Sequence, residues 1–208
     1  MKRIITICLL AVSLLAGVMS LDAKTTKKKS KTRTNQTSNT SRSSNNLNGH
    51  AAVDLGLSVK WATCNLGASV EYERGDFFLW QEYYDPVRQR WGGSWRTPTL
   101  SEFQELYQRC RWEWKRCTYS DDNYRYCSYG YLVTGPNGNS IFLPANGRKY
   151  QREDTRSITL YDDGFYWTRT YAMERGKIKP YVCSFDFGSI YFPYYDTIYA
   201  MGIRPVTK

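Results

Sequence analysis

Hydrophobic and polar positions divide the chain into three stretches. After Lys2 and Arg3, residues Ile4 to Leu21 are mostly apolar, and the run exits through Leu21-Asp22-Ala23. A short positive start, an apolar middle and small residues at the exit form the signal-peptide pattern, which assigns residues 1–23 to a leader. Cleavage after Ala23 is the first expectation and after Ser20 the second. The alternative is an uncleaved anchor, because an apolar run of 18 residues approaches the length of a membrane span; Ser13, Gly17 and Ser20 weaken that reading. Cys8 sits inside the run, too early for a lipoprotein. No second long apolar run follows, so no membrane span is expected in the mature chain. Residues 24–49 then contain a single apolar residue, Leu47. Such a stretch cannot bury enough surface to offset the entropy of ordering it, and it reads as a flexible linker.

From residue 50 the pattern becomes that of a folded domain, 50–208. Thr99-Leu-Ser-Glu102 is a capping box behind Pro98, and Leu100, Phe103, Leu106, Tyr107 and Cys110 recur at helical spacing. A helix over about 100–110 is predicted, pressing that stripe onto a sheet. Tyr131–Thr134 and Ser140–Leu143 flank GPNG and predict a hairpin. Further strands are expected at 52–55, 59–63, 77–80, 157–161, 165–171, 180–187, 189–192 and 199–205. One clear helix among many short strands gives an α+β domain.

Charge alters the picture only in the tail. Residues 24–49 hold Lys24, Lys27, Lys28, Lys29, Lys31, Arg33 and Arg42 and no acid, while residues 50–208 hold 20 basic and 18 acidic residues. The formal +10 therefore belongs to leader and linker, and a nucleic-acid-binding face on the domain is not expected. The linker reads as a spacer, or as a tether attracted to anionic envelope polymers. All 33 aromatic residues fall after residue 49, and 18 are tyrosines. Each buried phenol needs a hydrogen-bond partner, so many of these rings are expected at the surface, where rigid amphipathic rings suit binding.

With Cys8 removed, the chain keeps Cys64, Cys110, Cys117, Cys127 and Cys183. In an oxidising compartment five cysteines allow two bridges and one leftover in 15 arrangements, among which the spacing does not choose. The 110–117–127 spacing does not match paired zinc ligands, so no metal site is expected. His50, at the junction of tail and domain, is the chain's one histidine. Imidazole-based triads and histidine-rich metal hydrolysis are accordingly not expected, and no residue is assigned a catalytic role. Carboxylate pairs drawn from Asp121, Asp122, Asp162, Asp163, Asp186 and Asp196 keep a glycan hydrolase open, although Asp-Asp beside Gly is first of all a turn.

Several segments occur in a recognisable order: DLGLSVKWATCNLGA (Asp54–Ala68), GDFFLW (Gly75–Trp80), WGGSWRTPTLSEF (Trp91–Phe103), GPNGNSIFLPANG (Gly135–Gly147), GFYW (Gly164–Trp167) and GIRPV (Gly202–Val206). Together they resemble the major paralogous domain family first described in Fibrobacter succinogenes and abundant in gut Bacteroidetes, over residues 52–206. WRTPTLSEF followed by GIRPV is also similar to the broader C-type-lectin-like and formylglycine-generating-enzyme superfamily. The resemblance implies a single C-type-lectin-like α+β domain with its N- and C-terminal strands brought together. It also implies a Cys64–Cys110 disulfide, leaving Cys117 and Cys127 as candidates for a second, local bridge and Cys183 free or available to a partner. The calcium-binding triplet of sugar-binding lectins and the catalytic cysteine pair of formylglycine-generating enzymes have no counterpart here, so neither activity, and no cofactor, carries over.

The expectation that follows is an exported, non-enzymatic binding module of the envelope or surface of a Gram-negative bacterium, periplasmic, outer-surface or secreted. Its partner would be a glycan or a surface protein. In C-type-lectin-like folds the late strands commonly form the ligand face, which nominates Tyr191, Tyr194, Tyr195, Asp196 and Tyr199. A structural or pilus-tip assembly subunit is the alternative, and it would present an exposed apolar patch or an unpaired edge strand.

Overall fold

The structure, a computed structural model, describes residues 44–117, 126–150, 158–159 and 162–208. The leader, most of the linker, Asp121 and Asp122 lie outside these residues. Everything described falls within one unit, Thr40–Lys208. Sixteen elements occur in it: β1 (Ser44–Leu47), β2 (His50–Val53), β3 (Lys60–Ala62), β4 (Phe78–Leu79), α1 (Pro86–Trp91), α2 (Leu100–Arg109), β5 (Arg111–Arg116), β6 (Tyr129–Thr134), β7 (Ser140–Pro144), β8 (Arg148–Tyr150), β9 (Ile158–Thr159), β10 (Gly164–Glu174), β11 (Lys177–Asp186), β12 (Ser189–Tyr191), β13 (Tyr199–Met201) and β14 (Val206–Thr207). They form four small sheets, ordered β1-β2-β3-β14, β10-β11-β12, β4-β13-β8-β9 and β5-β6-β7. Every pairing between named strands is antiparallel. Two helices among small antiparallel sheets make an α+β fold dominated by strands. No helix among the described residues is long and apolar enough to cross a membrane.

The best-signalled elements form as their local chemistry dictates. Thr99 Oγ1 accepts from the Glu102 amide at 3.2 Å and Glu102 Oε2 accepts from the Thr99 amide at 2.8 Å, completing the capping box of α2. The helix ends at Arg109, where Cys110 turns extended. Asn137 and Gly138 sit in the turn joining β6 to β7, closed by Gly135 N–H to Asn139 O at 2.8 Å. The strands β5 and β8 are not among those expected from the sequence, and three further features depart from that expectation. The first strand begins at Ser44, within the stretch read as linker. Asn48 and Gly49 adopt positive φ of 52° and 83°, the two-residue turn that folds β1 back on β2. Second, α1 is a six-residue helix started by Asp85 and Pro86; with Val87 and Trp91 as its few apolar positions, it leaves no periodic stripe in the sequence. Third, the strand expected over 199–205 is split. Met201 ends β13 and Val206 starts β14, which pairs with Trp61 of β3, so the two ends of the fold share one sheet.

Two cores share the strands between them. One holds Trp61, Phe103, Leu106, Tyr131, Val133, Tyr166 and Phe185; the other holds Ala62, Leu66, Trp91, Trp95, Phe165, Trp167 and Ile203. Successive residues of a strand point to opposite faces, so in β3 Trp61 enters the first core and Ala62 the second. In β10 Tyr166 enters the first, with Phe165 and Trp167 in the second. Burial on both faces is why Gly164–Thr168 is an unbroken buried run rather than an alternating one. Gly164 itself abuts the Phe185 ring, where an added Cβ would come within 2.1 Å of it.

Candidate functional site

An open cleft of about 760 Å³ lies between the 78–89 segment and the bulged part of β10. Its aromatic lining is Phe78, Trp80, Tyr83, Tyr84, Trp167 and Tyr171, and its charged lining is Glu82, Asp85, Arg88 and Arg169. Reciprocal indole bonds hold its two sides together. Trp167 Nε1 donates to the Phe78 carbonyl at 2.8 Å, and Trp80 Nε1 donates to the Thr168 carbonyl at 2.8 Å. The Trp80 and Tyr171 rings meet edge to face at 5.4 Å. Tyr171 donates its hydroxyl to Glu82 Oε1 at 2.7 Å, and the bond to and charge of Glu82 raise the phenol above its ordinary pKa.

Asp85 fixes the loop. Its carboxylate caps α1 through the Val87 amide at 3.0 Å, and it accepts from the Thr97 amide at 3.0 Å and the Thr97 hydroxyl at 2.8 Å. One side chain therefore ties the start of α1 to the segment entering α2. Tyr83, 95% exposed, and Tyr84, 43% exposed, stand on that held loop. Rings left in solvent on an anchored backbone lose little conformational freedom when a ligand covers them.

The residues nominated from the late strands are placed differently. Tyr195 and Tyr199 are half-buried and box in Arg148, whose guanidinium lies 4.6 Å from the Phe165 centroid, 5.1 Å from Tyr195 and 4.7 Å from Tyr199. Asp196 is ion-paired with Lys179, a contact that raises the lysine pKa. Tyr194 bridges Tyr181 and reaches Glu174 at 3.3 Å. Tyr191 is exposed at the end of β12, an edge strand of its sheet. The structure thus brings Tyr195 and Tyr199 together around an arginine and leaves Tyr191 and Tyr194 outward. It gathers none of the five into the cleft. The cleft residues escaped the sequence reading because they come from distant segments. Exposed Tyr83-Tyr84 followed by the Asp85-Pro86 helix start is the signal that was available.

A second, shallower concavity of about 430 Å³ is lined by Trp114, Tyr129, Asp162, Asp163, Asp186 and Phe187. Trp114 and Tyr129 stack at 5.9 Å with an interplanar angle of 10°. Burial raises the Asp163 pKa, and the neighbouring charge of Asp186 raises it further. Among the described residues no group of three or more His, Cys, Asp or Glu is placed to hold a metal ion.

His50 stacks on Trp91 at 3.8 Å and meets Trp95 edge-on; partial burial lowers its pKa. The five described cysteines are free thiols, so neither the Cys64–Cys110 nor the Cys117–Cys127 bridge is formed in this structure. Cys64 lies 3.7 Å from the Thr63 hydroxyl. Cys110 sits at the end of α2, packed against the first core. Burial pushes the Cys110 and Cys117 thiols up to about 11 and that of Cys127 up to about 12. Cys183, fully buried, is raised for the same reason.

Comparison of the chain with protein-family models, with curated proteins and with solved structures returned no match.

Proposed function

We propose that this chain is an exported, non-enzymatic binding module that takes a glycan in the cleft between residues 78–89 and 167–171. The observation that carries the proposal is the cleft's construction: solvent-facing tyrosines on an anchored loop, beside Trp80 and Tyr171, with planar polar groups from Gln81, Glu82, Gln89 and Arg169 at the same opening. Aromatic faces pack against the C–H faces of pyranose rings, and planar side chains hydrogen-bond the hydroxyls around them. Export is supported by the apolar run behind Lys2 and Arg3. A C-type-lectin-like architecture is supported by the pairing of β14 with β3, which joins the two ends of the fold.

Glycan-array binding of the full chain tests this reading. The Tyr83→Ala/Tyr84→Ala variant is expected to lose at least tenfold in affinity, and Tyr194→Ala/Tyr195→Ala to keep it. The opposite pattern would return the ligand face to the late strands.

One observation favours a second reading, carboxylate-based glycan hydrolysis: Asp163, with its raised pKa, shares an aromatic-walled concavity with Asp186. It predicts reducing-end release from a bound glycan, abolished by Asp163→Asn. A glycan that binds and stays intact on prolonged incubation removes it.

A further inference from the structure

We infer that the cleft recognises an acidic sugar, its carboxylate held by Arg169 with Arg88; this rests on the cleft being the ligand site. The strand β10 carries a bulge where its register against β11 shifts between Trp167 and Tyr171. Bulges re-aim side chains, and they hold a new direction only where the freed backbone is pinned. Here it is pinned from two sides. Thr168 Oγ1 donates to the Tyr181 carbonyl at 2.9 Å and accepts from the Thr170 amide at 3.2 Å. On the other side the Arg169 amide donates to the Pro98 carbonyl at 2.8 Å, and the Leu100 amide donates to Thr170 Oγ1 at 3.0 Å. Trp167, Arg169 and Tyr171 consequently all line the cleft while Thr168 is buried.

The cations and the acids of the cleft differ in whether other side chains and amides already hold them. Arg90, Arg109 and Arg111 are each paired with a carboxylate elsewhere on the surface, and Arg96 pairs with Glu102 in a largely buried contact. Among the described residues, Arg88 and Arg169 have no side-chain ion pair or hydrogen bond. The two acids are already engaged, Asp85 by the start of α1 and by Thr97, Glu82 by the Tyr171 hydroxyl. These bonds position the two acids without neutralising them, so the lining carries two charges of each sign; the charged groups that no partner holds are the two guanidiniums, whose planar fork matches a carboxylate through two parallel hydrogen bonds. The adjacent rings supply the apolar contact that a bare anion would not use. A uronic-acid residue within a glycan meets both requirements in one unit.

The test is calorimetric titration of the full chain with an oligogalacturonate and with its carboxyl-reduced, neutral counterpart. The proposal expects the acidic oligomer to bind at least tenfold more tightly, the difference to shrink as salt rises, and Arg169→Gln or Arg88→Gln to weaken the acidic oligomer far more than the neutral one, erasing most of the difference. Both substitutions fall on solvent-facing side chains, and an unchanged melting temperature separates loss of recognition from loss of fold. Equal binding of the two oligomers overturns the acidic-sugar inference and leaves the glycan cleft standing. Binding of neither, with binding of an acidic peptide such as oligoglutamate, overturns both in favour of a protein partner.

Discussion

Arg204 Nε donates to Asn65 Oδ1 at 2.9 Å, and both side chains are wholly buried although 139 residues separate them in sequence. Arg204 also donates to the Ala62 carbonyl at 3.0 Å and the Phe142 carbonyl at 2.7 Å. Asn65 in turn donates to the Arg74 carbonyl at 2.9 Å and to the Tyr166 hydroxyl at 3.3 Å. A guanidinium with no carboxylate among these partners is solvated by carbonyl oxygens, and burial lowers its pKa. The WATCN and GIRPV segments are therefore two halves of one buried polar network, which also holds β3, β7 and β10 in place. Asn65→Ala is expected to lower unfolding free energy by about 1–3 kcal/mol, the penalty of stranding a buried donor. Urea denaturation measures it; a loss below about 0.5 kcal/mol, the size of an ordinary surface substitution, would show that the network is dispensable.

Asp85 serves both a helix start and the loop that lines the cleft. Asp85→Ala is expected to cost about 0.5–2 kcal/mol as a lost N-cap and to weaken ligand binding, because Tyr83 and Tyr84 then stand on a loosened loop. Paired denaturation and binding titrations check both effects. Unchanged affinity alongside reduced stability would mean that the loop does not depend on this anchor.

The bulge of β10 depends on one hydroxyl. Thr168→Val keeps the volume but strands the Tyr181 carbonyl and the Thr170 amide, with an expected cost of about 1–3 kcal/mol. Affinity should fall with it, since Arg169 and Tyr171 lose their aim. A variant that is destabilised but binds as the wild type does would separate the bulge from recognition.

Alkaline pH should destabilise the fold. The folded thiols of Cys110, Cys117 and Cys127 are held near 11 to 12, above their ordinary value of 9.0. Between those limits the folded chain binds more protons than the unfolded one, so stability is full below about pH 9 and falls as pH rises toward 12. Urea midpoints at pH 8, 9 and 10.5 under reducing conditions should decline in that order. A midpoint that holds or rises would contradict burial of these thiols.

Legibility in the sequence tracked how local the cause was. The helix over 100–109 was readable because Thr99 and Glu102 cap it within one turn, and the 129–144 hairpin because its turn residues are contiguous. The strands around Trp61 and Tyr166 were harder, since burial on both faces removes the alternation that signals a strand. The site was the least readable part. A surplus of tyrosine pointed to a binding face, but spacing cannot show that Tyr195 and Tyr199 surround Arg148 or that Asp196 meets Lys179. Nor can it show that residues 80–85 and 167–171 face one opening, which depends on a two-sided core and a bulge. Trp112 and Trp114 lie two positions apart in β5 and both pack against Tyr131, at 5.4 and 4.9 Å.

The most direct measurement of the central claim is the set of tryptophan indole N–H resonances of the full chain, followed during titration with a bound glycan. Trp80 and Trp167 line the cleft, each with its indole bonded to a backbone carbonyl. Trp61 is buried in the first core, and Trp114 belongs to the second concavity. The cleft account predicts saturable shifts of the Trp80 and Trp167 indoles while Trp61 and Trp114 stay still. Shifts at Trp114 with Trp80 and Trp167 unmoved would contradict it and place the ligand at the aspartate-lined concavity instead.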